Sequence, residues 1–332
     1  MQRRVMKILL VDVDSKIPNL ALMKISTYHK NQNDTVDIIR LNFDGYPTKK
    51  KMKIVDGMRY DIVYASCIFT VNTDAFQIIN CDNVNIGGTG VSLDCDLPGH
   101  IDCLLEDYSI YPENNISYGF ITRGCIRNCS FCFVPKKEGS LILYRNWKNI
   151  VKHKTVKFLD NNFLAYAEHK TILKELIDHN IRFQFNQGLD IRLIDDENAC
   201  LLAKSNYLGE FIFAFDYVKM EELILDKLAL FKKYAPKDWN SKFFVYVHPD
   251  MDIVEDIVYR IEVLRKTRSL PYIMRDQSCW TNSNADFYVD IAAYCNQPAI
   301  FKKMPFDIFI KKRHPKNPHR ALKSSSLYSG KI

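Results

Sequence analysis

Residues 119–135 read GFITRGCIRNCSFCFVP, and this stretch decides how the rest of the chain is read. It opens on the end of an apolar strand, is broken by Gly124, and then sets Cys125, Cys129 and Cys132 in a C-x3-C-x2-C spacing within eight residues. Three thiolates on one short loop can hold three corners of a metal site. A structural zinc takes four ligands in a closed tetrahedron, and an ordinary four-iron cluster takes four thiolates. No fourth Cys or His follows at short spacing. A trio leaves one iron open to an outside ligand, which a reactive cluster needs and a storage cluster does not.

Downstream of this loop the chain alternates. Apolar, β-branched or aromatic runs at 117–123, 155–161, 182–188, 210–216, 242–248 and 271–276 predict six strands. Amphipathic stretches at 168–179, 195–206, 221–233, 252–266 and 283–295 predict the helices between and after them. Strand–helix repeats of about 30 residues predict a (β/α)6 partial barrel rather than a closed eight-fold one. Each strand ends in polar residues: Arg123 with the cysteine loop, Asp160-Asn161-Asn162, Asn186-Gln187 with Asp190 and Arg192, Asp216, His248 with Asp250, and Arg275-Asp276. In parallel α/β folds the loops after strand C-termini open on one face, so these ends should share a rim.

Upstream, residues 5–13, 35–41 and 60–69 predict strands, 19–30 a helix, 74–82 (DAFQIINCD) a helical or turn segment, and NVNIGG a last strand before a glycine turn. Strands that are apolar throughout point to a parallel sheet covered on both faces. The fold class is therefore α/β: a Rossmann-like domain over 1–108, a partial barrel over 109–300, and a C-terminal tail over 301–332, with the polar, proline-bearing 106–115 as linker.

The chain has 332 residues, 47% hydrophobic, with 12 Gly and 12 Pro, which excludes collagen-like and low-complexity classes. Residues 302–332 hold nine Lys or Arg against one acid, a net charge of +8, so the overall +7 leaves −1 for residues 1–301. The tail predicts either a solvated end or attraction to a nucleic acid, with Phe306, Phe309 and Tyr328 available for contact. No signal-like opening and no apolar run of membrane-spanning length occurs, so the expectation is a cytoplasmic, reducing setting without membrane contact. In such a setting, clustered cysteines are metal ligands more often than disulfide partners.

The cysteine loop after the first barrel strand, with Phe131 before its last cysteine and Thr122-Arg123-Gly124 ahead of its first, resembles the radical S-adenosylmethionine (radical SAM) superfamily over residues 117 to about 276. The N-terminal sheet, with Gly87-Gly88 near its end, looks like the cobalamin-binding type of domain that often precedes such barrels. The resemblance implies a [4Fe-4S] cluster on Cys125, Cys129 and Cys132 whose open iron takes the amino and carboxylate groups of SAM. It implies reductive cleavage of SAM to a 5′-deoxyadenosyl radical that acts on a substrate the sequence does not specify, and a reductant protein such as flavodoxin or ferredoxin. It places Phe131 near the adenine, Asp160, Asn161 and Asn162 near the SAM amino group, and Gln187, Asp190, Arg192 and Asp216 at ribose and carboxylate positions. The chain lacks the two glycines that relatives carry at the second strand end.

Competing readings remain open at this stage. A zinc knuckle could be completed by Cys103, His100 or His153, giving a non-enzymatic, metal-stabilised nucleic-acid-binding module. A methyl- or methylthio-transferase acting on RNA or protein would use cobalamin, or a second cluster drawn from Cys67, Cys81, Cys95 and Cys103. Against cobalamin, the D-x-H-x-x-G lower-ligand pattern is replaced by Asp12-Val13-Asp14-Ser15-Lys16-Ile17, with Asp14 where the histidine would stand.

Overall fold

The computed structural model describes residues 3–46 and 48–317, which form a mixed α/β fold with mainly parallel sheets. Two compact units are resolved by packing: the first spans residues up to 119 and 146–155, the second 120–145 and the residues from 156 onward.

In the first unit the strands are β1 (Lys7–Asp12), β2 (Thr35–Arg40), β3 (Lys53–Asp56), β4 (Ile62–Ser66), β5 (Phe76–Ile79), β6 (Val84–Gly87) and β7 (Ile116–Gly119). Four of them make a parallel sheet in the order β2-β1-β4-β6. The run Ile8 to Val11 within β1 is apolar because it feeds two cores at once. Leu9, Val11 and Val13 pack with Val63 and Phe76 on one side, whereas Ile8 and Leu10 pack with Leu22, Met23 and Ile25 of the helix Leu20–Lys30 on the other. That helix begins where the Asn19 side chain accepts from Leu22 N at 3.1 Å, satisfying one of the orphan N–H groups of its first turn.

Two expectations for this unit change. The segment 74–82 contains a strand, β5, paired in parallel with β3. The partner lies more than 20 residues away, so local periodicity does not reveal it. The presumed linker 106–115 is packed. Tyr111 is 1% exposed, Asp107 accepts from Ser26 and Lys30, and the Tyr108 hydroxyl accepts from Tyr118 N at 2.7 Å. The aromatic residues turn a polar-looking stretch into part of the first core.

The second unit holds β8 (Thr122–Arg123), β9 (Ile142–Leu143), β10 (Thr155–Phe158), β11 (Arg182–Phe185), β12 (Phe211–Ala214), β13 (Ser241–Val247) and β14 (Leu270–Arg275). β10 and β11 are neighbours in one sheet, and β12-β13-β14 form another, parallel throughout. The helices His169–Asp178, Asp196–Lys204, Glu221–Tyr234, Val254–Lys266 and Ala285–Cys295 lie where the spacing predicts them. Between β11 and β12 the ladder is not continuous. The two sides are joined there by an isolated bridge, Phe183 to Tyr207, and by hydrogen bonds from Phe185 N to the Tyr207 hydroxyl at 3.2 Å and from Leu189 N to Ile212 O at 2.7 Å. Phe158, Phe163, Phe183, Phe185, Phe213 and Phe243 are buried within the unit. Each aromatic ring buries a large apolar area, so a modest number of them fills such a core.

The basic C-terminal stretch is ordered through the described part. Phe306, Phe309 and Ile310 of the helix Phe306–Arg313 are buried, and Arg313 and His314 both bind Asp290. Phe306 and Phe309 are thus core residues, not contacts for a nucleic acid. Tyr328 and the remaining charges from Arg320 onward lie outside the described residues. Among the described residues no helix is long and apolar enough to cross a membrane.

Candidate functional site: the cysteine loop and the strand ends around it

The cysteine loop leaves β8 and returns as β9, its two ends held as an antiparallel pair. Gly124 makes the departure possible. Its φ is +80°, and a Cβ there would lie 2.2 Å from Ser140 O, so the backbone of the return passes where any side chain would sit. Glu138 then fastens the loop. One carboxylate oxygen accepts from Arg123 at 3.0 Å, and the other from Gly124 N at 3.0 Å and Asn161 Nδ2 at 2.7 Å. Cys125 N adds a bond to Gly139 O.

All three cysteines are free and half-buried. Burial pushes the Cys129 and Cys132 thiols up, the Arg192 guanidinium pulls Cys129 down, and the other cysteines with Asp216 push both thiols upward. The sulfurs therefore lie within electrostatic reach of one another. Among the described residues, no group of three or more His, Cys, Asp or Glu side chains stands close enough together to hold a metal ion.

Residues from other strand ends meet the loop. Arg127, between the first two cysteines, donates through Nε to Asp190 Oδ2 at 2.9 Å. Arg192 grips the same carboxylate with Nε at 2.6 Å and Nη2 at 2.9 Å. Burial pushes Asp190 up, but the two guanidiniums overcome it and hold the carboxyl below its ordinary range. Asn162, 2% exposed, donates through Nδ2 to Cys125 Sγ at 3.5 Å and to Asp190 Oδ2 at 3.3 Å, while its Oδ1 is buried with no hydrogen-bond partner among the described residues. From the end of β12, Asp216 accepts from Tyr246 N at 3.0 Å and is pushed up by burial. The Tyr246 hydroxyl then donates to Asp276 Oδ2 at 2.7 Å beyond β14. Two hydrogen-bonded groups result: Asn162, Asp190 and Arg192, from beyond β10 and β11, beside the cysteine loop, and Asp216, Tyr246 and Asp276 at the ends of β12, β13 and β14.

Several predicted site residues have other work. Asp160 is fully buried and accepts from Ile121 N, Thr122 N and the Thr122 hydroxyl, which locks the end of β10 to the start of the cysteine loop; burial pushes it up to about 6. Asn161 serves Glu138, and Gln187 is exposed. Phe131 stacks on Tyr246 with ring centroids 4.2 Å apart, so one of its faces is covered from within the protein. Arg127, Glu138 and Tyr246 are the residues that sequence reasoning missed. Arg127 lies inside the cysteine spacing itself, and a cation there was a usable signal.

The first unit offers a second crevice, at the carboxyl ends of β1 and β4, where the strand order switches direction and open α/β sheets bind ligands. Here the chain fills it. Asp14, 1% exposed, accepts from Ile68 N at 2.7 Å, Phe69 N at 3.0 Å and Asn72 Nδ2 at 2.8 Å. Gly88 has φ +105°, and its Cβ position lies 2.3 Å from Cys67 O, so the glycine turn packs on the chain's own backbone. The Ile68 and Phe69 N–H groups and the Asn72 amide are thus engaged by the chain's own carboxylate. Cys67 is buried, and its thiol is pushed up to about 12 by burial and by Asp14.

Comparison with known proteins finds no matching family model, no matching curated protein and no matching solved structure.

Proposed function

We propose that this protein is a radical SAM enzyme: a Rossmann-like domain followed by a (β/α)6-type partial barrel whose cysteine loop carries a [4Fe-4S] cluster and SAM. The observation that carries the reading is the meeting of Asn162, Asp190, Arg192 and Asp216, from three separate strand ends, around the loop of Cys125, Cys129 and Cys132. The donor set supports it. Three half-buried thiols stand on one short loop, with the Arg192 guanidinium within electrostatic reach of Cys129. Beside Cys125, the buried Asn162 Oδ1 has no hydrogen-bond partner among the described residues.

Cys125, Cys129 and Cys132 would hold the cluster, which with SAM would supply one-electron reductive cleavage of the sulfonium and so radical chemistry on a substrate. The chain's own residues prepare for that chemistry. Glu138 and Gly124 set the path of the loop, Asp190 fixes Arg127 and Asn162, and Asp160 pins the second strand end to the loop. Asp190 spends both oxygens on arginines, so Arg192 is pre-oriented by it rather than open to a carboxylate. Electrons would come from a reductant protein of the flavodoxin or ferredoxin type.

The test is the metal content of anaerobically reconstituted protein. About four irons and four sulfides per chain are expected, with loss of both in Cys125→Ala. One zinc and no sulfide would sink the proposal.

A further inference from the structure

We propose that the outer edge of β3 is a docking site for an acidic, extended peptide segment of a partner protein. The surface lies wholly in the first unit and does not depend on the proposed cluster. β3 and β5 form a parallel pair of their own, and among the described residues no strand lies against the other side of β3. Lys53 N donates to Ala75 O at 3.0 Å and Gly57 N to Ile79 O at 2.8 Å, so the odd-numbered residues of β3 face β5. By the alternation of a parallel ladder, the N–H and C=O groups of Ile54 point to the open edge.

The side chains along that edge are open too. Ile54 is 64% exposed, Met52 49% and Met58 71%, whereas Val55, on the opposite face, is buried and packs with Phe76 in the core. A strand edge with unpaired main-chain groups and exposed apolar side chains is a template for another strand. Only a polypeptide can use it fully, since a nucleic acid or a lipid surface has no alternating N–H and C=O groups to pair with it.

Charge decides which polypeptide. Residues 49–59 hold Lys49, Lys50, Lys51, Lys53 and Arg59 against Asp56 alone, five positive charges and one negative, a net +4. Lys50 is held by Asp44 and Asn72, Lys53 reaches back to Leu41 O over the Phe43 ring, and Asp56 accepts from Met58 N and Asn80 Nδ2. Lys49 and Lys51 are exposed and form no ion pair among the described residues. Two copies of this edge would set +4 against +4, which disfavours a second copy of the chain as the occupant. An acidic strand instead meets the lysines with its carboxylates and covers Ile54 and Met52 with its alternate apolar residues.

The test is fluorescence anisotropy of the full-length protein with a labelled octapeptide of alternating Glu and Val at low ionic strength. Wild type is expected to bind it and not its Lys-Val counterpart. Ile54→Pro removes the outward N–H and leaves the bonds from Lys53 N and Gly57 N to β5 in place, as proline on an edge strand allows. It should weaken binding about tenfold, the worth of one or two main-chain hydrogen bonds. Lys49→Glu combined with Lys51→Glu should also weaken it, and added salt should weaken binding to wild type. A second probe needs no variant: the same octapeptide N-methylated at alternate residues keeps its charge, loses its edge donors, and should bind wild type about tenfold more weakly. No binding of the Glu-Val peptide, or equal binding of the N-methylated or Lys-Val peptide, would overturn the inference. Tighter binding of a single-stranded oligonucleotide or of phosphatidylserine vesicles would overturn it too, by assigning the lysines to a polyanion without strand pairing. None of these readouts involves metal or SAM, so failure here and failure of the proposed function are told apart.

Discussion

Replacing Arg260 with Met should cost the second unit more than any surface change, and its size can be worked from the contacts. Arg260, in the helix Val254–Lys266, is 0% exposed. Its Nη1 donates to Phe215 O at 2.9 Å, Asp216 O at 2.8 Å and Tyr246 O at 3.3 Å, and its Nη2 to Asp252 Oδ1 at 2.8 Å. One buried guanidinium thus ties together the ends of β12 and β13, from which Asp216 and Tyr246 enter the candidate site. Met preserves much of the volume but leaves three carbonyls without this donor and the nearly buried Asp252 without its cation. Breaking a buried pair from one side costs about 3–5 kcal/mol. For a unit of this size that lowers the thermal midpoint by about 6–20 °C, at roughly 2–4 °C per kcal/mol. Most of the cost is the stranded carboxylate, so Arg260→Met combined with Asp252→Leu should recover more than half of it. Burial already pushes Asp252 up. The single variant should therefore lose less stability at acid pH, as the stranded carboxylate protonates, than near pH 8. The assay is thermal and urea unfolding followed by circular dichroism for both variants at both pH values. A loss below about 1 kcal/mol, or a double variant no better than the single, would refute the reasoning.

Two further outcomes are expected in the first unit. Burial pushes Asp34 up, yet Arg3, His29 and Met6 N donate to it and bring it to about 2. Its contribution is therefore complete above pH 4 and lost as pH falls through about 2; discounted for the solvent exposure of Arg3, it is about 1 kcal/mol. Asp34→Asn should flatten the acid limb of a stability-versus-pH curve over that window, and an unchanged limb contradicts the assignment. Asp14→Ala should cost about 2–4 kcal/mol by stranding two backbone N–H groups and Asn72. Added phosphate should raise the melting temperature of that variant and not of wild type. A phosphate response in wild type would mean that Asp14 does not fill the crevice.

Much of the fold was legible because its strands are buried on both faces. The run KILLVD of β1 and the alternation of SKFFVYV in β13 announce themselves, since burial dictates residue type directly. β3 and β5 were hidden because each is four residues long and their pairing is non-local. The broken ladder between β11 and β12 was hidden for the same reason. At the site, the cysteines and the polar strand ends were readable, but their division of labour was not. Asp160 and Asn162 are two residues apart on one polar strand end, and sequence treats them alike. Structure separates them, because one side chain turns into the core to hold Ile121 and Thr122 while the other reaches Cys125. The basic charges near residue 313 looked solvated because the apolar residues beneath them, Phe306, Phe309 and Ile310, sit between cations at helical spacing.

The central claim is tested most directly by incubating the reconstituted, iron-loaded protein with SAM and a strong reductant under anaerobic conditions and measuring 5′-deoxyadenosine. 5′-Deoxyadenosine and methionine are expected in equal amounts from wild type, and neither from Cys125→Ala. No 5′-deoxyadenosine from protein that holds about four irons, or equal formation by Cys125→Ala, would contradict it.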